Sequence, residues 1–234
     1  MPPAATVPGP VPAPIAEPIT LTVGTYPPDG PGGRDRDHGV WQVELDADGA
    51  LTARRTVRTA SPSFLAWGPG AGDDRTLFTV EESPNGRVVS LRTDDVGGRV
   101  VGTEVASGGE WPCHLLVDPQ GRALYVTNYH TGTVGVVTLA HDGDLSDEVR
   151  AAGGPVQVFE GSGSGPVSSR QEGPHAHSSL LTPDGRHLLV ADLGTDELRR
   201  YRVLLDGRLE ADGTAARLPE GTGPRHLAFG PGDH

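Results

Sequence analysis

Gly173-Pro174-His175-Ala176-His177-Ser178-Ser179-Leu180-Leu181-Thr182-Pro183-Asp184-Gly185 runs from a polar, histidine-bearing start through an apolar strand into a Pro-Asp-Gly turn. Three related stretches accompany it: Ser61-Pro62-Ser63-Phe64-Leu65-Ala66-Trp67-Gly68-Pro69, Trp111-Pro112-Cys113-His114-Leu115-Leu116-Val117-Asp118-Pro119, and Gly223-Pro224-Arg225-His226-Leu227-Ala228-Phe229-Gly230-Pro231. Counted back six residues from the turn proline, the four copies carry Ser63, Cys113, His177 and Arg225. One structural position is thus filled by four different chemistries. Successive repeats that aim different side chains at one place can assemble a site.

The leading prolines, Pro62, Pro112, Pro174 and Pro224, are spaced by 50, 62 and 50 residues. The longer interval is the same repeat carrying a Gly/Ser-rich insertion, Gly161 to Glu172, just before the histidine motif. Loops of that composition serve as lids or as plain flexible insertions. Within each period the apolar runs are short and separated by turn signals. Arg75–Val80, Arg87–Leu91 and Arg99–Val105 follow the first copy, with Asn85-Gly86 and Gly97-Gly98 as turns. Ala123–Asn128, Thr133–Leu139 and Pro155–Phe159 follow the second; His187–Asp192, Glu197–Val203 and Arg208–Glu210 follow the third. Before the first copy, Ile19–Tyr26 and Gly39–Leu45 alternate as strands. Leu51–Thr59 is a fourth-strand candidate polar enough for a sheet edge. A period of about 40–50 residues with four strands per unit is the signature of a β-propeller, whose sheets stack around a central channel. The predicted fold is therefore all-β, with about four blades plus one strand. Residues 19–234 form the partial propeller, and the Pro-rich segment 1–18 is a disordered tail. The opening strand of each repeat belongs innermost, which sends Ser63, Cys113, His177 and Arg225 toward the channel mouth.

Composition agrees. The 234 residues include 34 glycines and 22 prolines but only 5% aromatics, a mixture for short strands and tight turns. The net charge of −12 disfavours nucleic-acid backbones and anionic membranes as partners. No run reaches the ~18 apolar residues of a spanning helix. The N-terminus lacks the basic and apolar regions of a signal peptide. One cysteine allows no internal disulfide and fits a reducing cytosol.

Gly24-Thr25-Tyr26, the Gly173–Ser178 motif and Gly223-Pro224-Arg225-His226-Leu227-Ala228-Phe229 together resemble the lactonase family of seven-bladed propellers. That family includes propeller-type bacterial 6-phosphogluconolactonases and fungal carboxymuconate lactonising enzymes. The likeness runs from about Ile19 to His234. It implies seven blades and metal-free opening or closing of lactone rings, with the family histidine at His177 and the family arginine at Arg225. The family site also has a Glu in an Asn-Glu pair one strand beyond the arginine motif, and the sequence stops before that strand. Closing seven blades at this repeat length takes roughly 100 further residues, so the chain looks like an N-terminal portion. Uncovered blade edges then lead to an expectation of weak monomer stability and self-association.

Lactone hydrolysis needs a base for water and a cation or donor for the developing oxyanion. His177 supplies a side chain that titrates near neutrality, and Arg225 a fixed cationic fork. These two are the catalytic candidates. His175, Cys113, Ser63, His114 and His226 are the substrate-binding candidates around them. The bland alternative is that polar residues at strand starts bond loop carbonyls. His175-x-His177 suits a zinc pair with a third ligand from His114 or His226, but no acidic partner has clear spacing, and the expected site is metal- and cofactor-free. Cys113 reads as a small channel-facing residue rather than a nucleophile, because adjacent His114 points to the opposite face. His130 falls in a turn at the rim. The expected function is hydrolysis of a sugar lactone such as 6-phosphogluconolactone, with lactonising cycloisomerisation as the sister reaction. A non-catalytic ligand- or partner-binding propeller and an inactive truncated product are the competing readings.

Overall fold

The computed structural model describes residues 17–31, 38–70, 75–93 and 100–230. Most of the expected tail, part of the 27–37 loop and the Gly97-Gly98 turn lie outside the described residues. Four antiparallel sheets follow one another along the chain. The first holds β1 (Ile19–Gly24), β2 (Val40–Leu45) and β3 (Leu51–Val57). The second holds β4 (Pro62–Trp67), β5 (Leu77–Glu81), β6 (Arg87–Thr93) and β7 (Val100–Ala106). The third holds β8 (Pro112–Val117), β9 (Ala123–Asn128), β10 (Thr133–Thr138) and β11 (Gln157–Phe159). The fourth holds β12 (Ala176–Leu181), β13 (His187–Asp192), β14 (Glu197–Val203) and β15 (Leu209–Arg217).

The stacking follows from strand periodicity. Successive side chains on a strand point to opposite faces, so a sheet with apolar residues at every position needs a neighbour on both sides. Every residue of β9 and β10 is buried. Leu124 and Val126 pack toward the second sheet with Phe78, Val80 and Val88, while Ala123 and Tyr125 pack toward the fourth with Leu188, Val190 and Tyr201. A third cluster, Val40, Leu77, Val89 and Leu91, joins the first sheet to the second. Tyr125 is buried completely and donates its hydroxyl to the Gly207 carbonyl of the fourth sheet at 3.0 Å. These three interfaces leave the opening strands β4, β8 and β12 side by side.

The first sheet is one strand short among the described residues. β1 packs against β4 as β5 packs against β8 and β9 against β12, so β1 occupies the second-strand place and β3 the outer place. The polar β3 is an edge, as its sequence suggested. Residues 224–230, read as the opening strand of a further sheet, have no strand pairing among the described residues. Their pattern is that of a strand, but a strand needs a ladder partner. The helix α1 (Asp147–Ala152), between β10 and β11, was not anticipated. Ser146 caps it by accepting from Val149 N–H at 3.3 Å, and Gly153 ends it with φ 68°.

Leu124→Ala removes a fully buried side chain from the interface between the second and third sheets. The expected loss is about 2–5 kcal/mol, read as a lower urea midpoint; a shift under about 0.5 kcal/mol contradicts this packing role.

Candidate active site

A cavity of about 440 Å³ opens at the end of the opening strands. Cys113, Tyr129, Arg170, His175, His177 and Arg225 line it, together with Glu82, His130, Ser169 and Glu172. His177 stands on β12 with its carbonyl held by the third sheet: Cys113 Sγ donates to it at 3.2 Å and Thr127 Oγ1 at 3.1 Å. Arg225 Nε donates to His177 Nε2 at 3.0 Å. An accepting Nε2 fixes the imidazole as neutral with its proton on Nδ1. That Nδ1 is buried without a hydrogen-bond partner among the described residues. Burial first, then the charges of Arg225, His226 and Arg170, lower the His177 pKa to about 4.

His175 is buried at the back of the cavity. Its Nδ1 donates to the Tyr129 carbonyl at 2.8 Å, its ring stacks on the Tyr129 ring at 4.6 Å, and Glu172 Oε1 faces its Nε2 at 3.4 Å. Asp192, fully buried, accepts from the His175 backbone N–H at 2.7 Å and pairs with Arg199 at 3.2 Å. The Tyr129 ring also presents its edge to His177 at 5.8 Å. The histidine pair of the motif thus divides: His177 meets the arginine and His175 supports the wall.

The structure brings Cys113, His175, His177 and Arg225 together and leaves three other candidates outside the lining. Ser63 lies beside the Tyr26 hydroxyl, which donates to Glu82 at 2.6 Å. His114 packs against Phe64 at 4.3 Å between sheets, and burial lowers its pKa to about 4. His226 stands edge-on to His177 at 5.1 Å without lining the cavity. Burial, reinforced by Glu82, pushes the Cys113 thiol up to about 12, which suits a hydrogen-bond donor rather than a thiolate. Among the described residues, no group of three or more His, Cys, Asp and Glu side chains is placed to hold a metal.

Two lining residues had a sequence signal that motif reading passed over. Glu82 and Tyr129 are the first residues after β5 and β9, an equivalent place in two repeats. The residue before each one ties its strand to the link from the preceding sheet. Glu81 accepts from Thr59 Oγ1 and Ala60 N–H, and Asn128 bonds Ser107 and Thr133. A second ring of variable residues thus sits one strand behind the first. Arg170 had no such signal, because its insertion has no counterpart in the other repeats.

A family model described as Lactonase, 7-bladed beta-propeller, matches residues 20–234. The chain belongs to that family. It is 31% identical over 213 residues to a 6-phosphogluconolactonase of Bacillus subtilis, covering 89% of this chain and 56% of the relative. The crystal structure of a putative 6-phosphogluconolactonase from Bacteroides uniformis superposes with a TM-score of 0.76 at 26% identity, covering 93% of this chain and 60% of that one. The Pseudomonas aeruginosa periplasmic gluconolactonase gives a TM-score of 0.75 at 31% identity, covering 93% and 60%. The chain spans a little over half the length of the curated relatives it matches.

Both half-buried imidazoles resist protonation in the folded state until about pH 4, whereas unfolded histidine takes a proton near 6.5. The unfolded chain therefore binds more protons through that window, and stability falls as pH drops from about 6.5 to about 4. Urea midpoints at pH 7 and pH 5 should show the fall, and His114→Gln should reduce it. Equal midpoints in the parent chain contradict the assignment.

Proposed function

We propose that this pocket hydrolyses a sugar lactone, with 6-phosphogluconolactone as the substrate. The observation that carries the reading is the contact of Arg225 Nε with His177 Nε2 inside the cavity. A neutral imidazole and a guanidinium at one place are what a base and an oxyanion donor require. The names of the relatives support the lactone, and a second guanidinium in the lining, Arg170, supports an anionic substituent on it.

In the resting site Arg225 occupies the His177 lone pair. An arriving anion or polarised carbonyl draws Arg225 to itself and frees Nε2. It also offsets the charge that holds the imidazole basicity down. Water then gives a proton to Nε2 as its oxygen bonds to the lactone carbonyl carbon. The carbonyl electrons collect on oxygen, where Arg225 stabilises them. Collapse of this adduct breaks the ring C–O bond, and the departing ring oxygen takes the proton back from His177. One lactone and one water give one hydroxy acid. His175 and Tyr129 act as the wall that sets the imidazole.

Among the described residues the outer edges of β1 and β3 are unpaired, with Ile19, Leu21 and Leu51 exposed, which supports self-association through strand pairing. A single free cysteine suits the cytosol. No helix among the described residues is long and apolar enough to cross a membrane.

Lactone consumption followed by proton release, with and without chelator, tests the reading. His177→Ala should lower turnover by about 10²–10⁴-fold, and Arg225→Ala by about 10²–10³-fold. Full turnover in His177→Ala removes that residue from the chemistry, and loss of turnover on chelation replaces the mechanism with a metal one.

A further inference from the structure

Two cationic arms reach the cavity from loops far apart in sequence. Arg170 rides on the Gly161–Glu172 insertion and Arg225 on the segment after β15. One carboxylate, that of Asp196, hydrogen-bonds to both of the loops that carry them. Asp196 sits in the turn between β13 and β14 with φ 57°, a left-handed conformation that Asp tolerates better than most residues. It is 5% exposed. Its Oδ1 accepts from Gln171 Nε2 at 2.8 Å and from Gly223 N–H at 2.7 Å, and its Oδ2 accepts from Gly221 N–H at 2.7 Å.

Each of these bonds lies next to an arm. Gln171 neighbours Arg170 and is itself 2% exposed. Its amide also donates to the Leu193 carbonyl at 2.9 Å and accepts from Val167 N–H at 3.1 Å. Gly165 packs so closely on it that a Cβ there would lie 2.4 Å from Gln171 Oε1. The insertion is therefore a built wall held by a buried amide, and its flanking residues Ser169, Arg170 and Glu172 face the cavity. On the other side, Gly221 and Gly223 precede Arg225, whose carbonyl accepts from Ser178 Oγ at 2.6 Å. Arg170 Nη2 in turn donates to the Tyr129 hydroxyl at 3.1 Å.

We propose that Asp196 is a positioning residue that fixes both arginine arms of the pocket at once, so that Arg225 reaches His177 while Arg170 guards the mouth as an anion contact. This rests on the lactonase reading only for the identity of the substrate. A buried carboxylate accepting three N–H bonds is a strong anchor. Loosening such support costs about 10²-fold when it misplaces a reacting group by about 1 Å.

The test uses two near-isosteric variants. Asp196→Asn sets an amide N–H against a glycine N–H and loosens both arms. Gln171→Met frees only the insertion. With 6-phosphogluconolactone, Gln171→Met should raise KM about tenfold and leave kcat near the parent value, while with unphosphorylated gluconolactone its KM should change little. Asp196→Asn should raise KM and also lower kcat, together about 10–100-fold in kcat/KM. NMR titration of the His177 ring, which Arg225, Arg170 and His226 face, gives a readout independent of turnover. Its midpoint should rise in Asp196→Asn and rise less in Gln171→Met, which loosens only Arg170, a weaker influence on His177 than Arg225. A folded Asp196→Asn chain with parental KM and parental His177 midpoint overturns the proposal, as does an unchanged KM in Gln171→Met, whether or not Asp196→Asn folds. A parent chain that opens no lactone, yet shows the His177 shift in Asp196→Asn, refutes the lactonase reading and supports the positioning role.

Discussion

Burial of sheets on both faces is the constraint from which the rest follows. β9 and β10 carry no solvent-facing residue, so the third sheet exists only between the second and the fourth. Apolar area removed from water, about 25 cal/mol per Å², is the driving term. The only arrangement that satisfies every sheet is a stack, and a stack of twisted sheets turns about an axis. The opening strands then converge without any direct attraction between the polar residues they carry. Cys113, His177 and the segment bearing Arg225 meet because Leu124, Tyr125 and Leu188 must be dry.

Much of this was legible in the sequence. The spacing of Pro62, Pro112, Pro174 and Pro224 marked the repeat, and alternation marked most strands. The six-residue offset from the turn proline placed Cys113, His177 and Arg225 at one site. The same offset placed Ser63 one sheet further round, beside Tyr26, so repeat phase alone does not say how far along the ring a ligand reaches. His114 and His226 lie one residue after the ring position, a place that by strand alternation faces the packing between blades or the loop carbonyls. The structure turns His114 into the packing between sheets. Arg170 and Asp196 could not be found by pattern, since one belongs to a unique insertion and the other acts through hydrogen bonds made in three dimensions. α1 was short enough to hide between two strands, although Ser146 and Gly153 are ordinary start and stop residues for a helix.

The electrostatics of the site depend on what is missing behind His177. Among the described residues no carboxylate accepts from its Nδ1, and a guanidinium occupies Nε2. Burial and the guanidinium together make the imidazole a weak base. In the proposed reaction, an anionic substrate that engages Arg225 would relieve the guanidinium's share of that depression.

The carbonyl of His177 is gripped by Cys113 and Thr127, side chains of the preceding sheet. His177 is thus fastened to a neighbour as well as to its own strand. Any slip of one blade past the next drags the imidazole off its mark even while every ladder stays hydrogen-bonded. Such a chain can go silent with its strand content intact, because its working geometry belongs to the seam between blades.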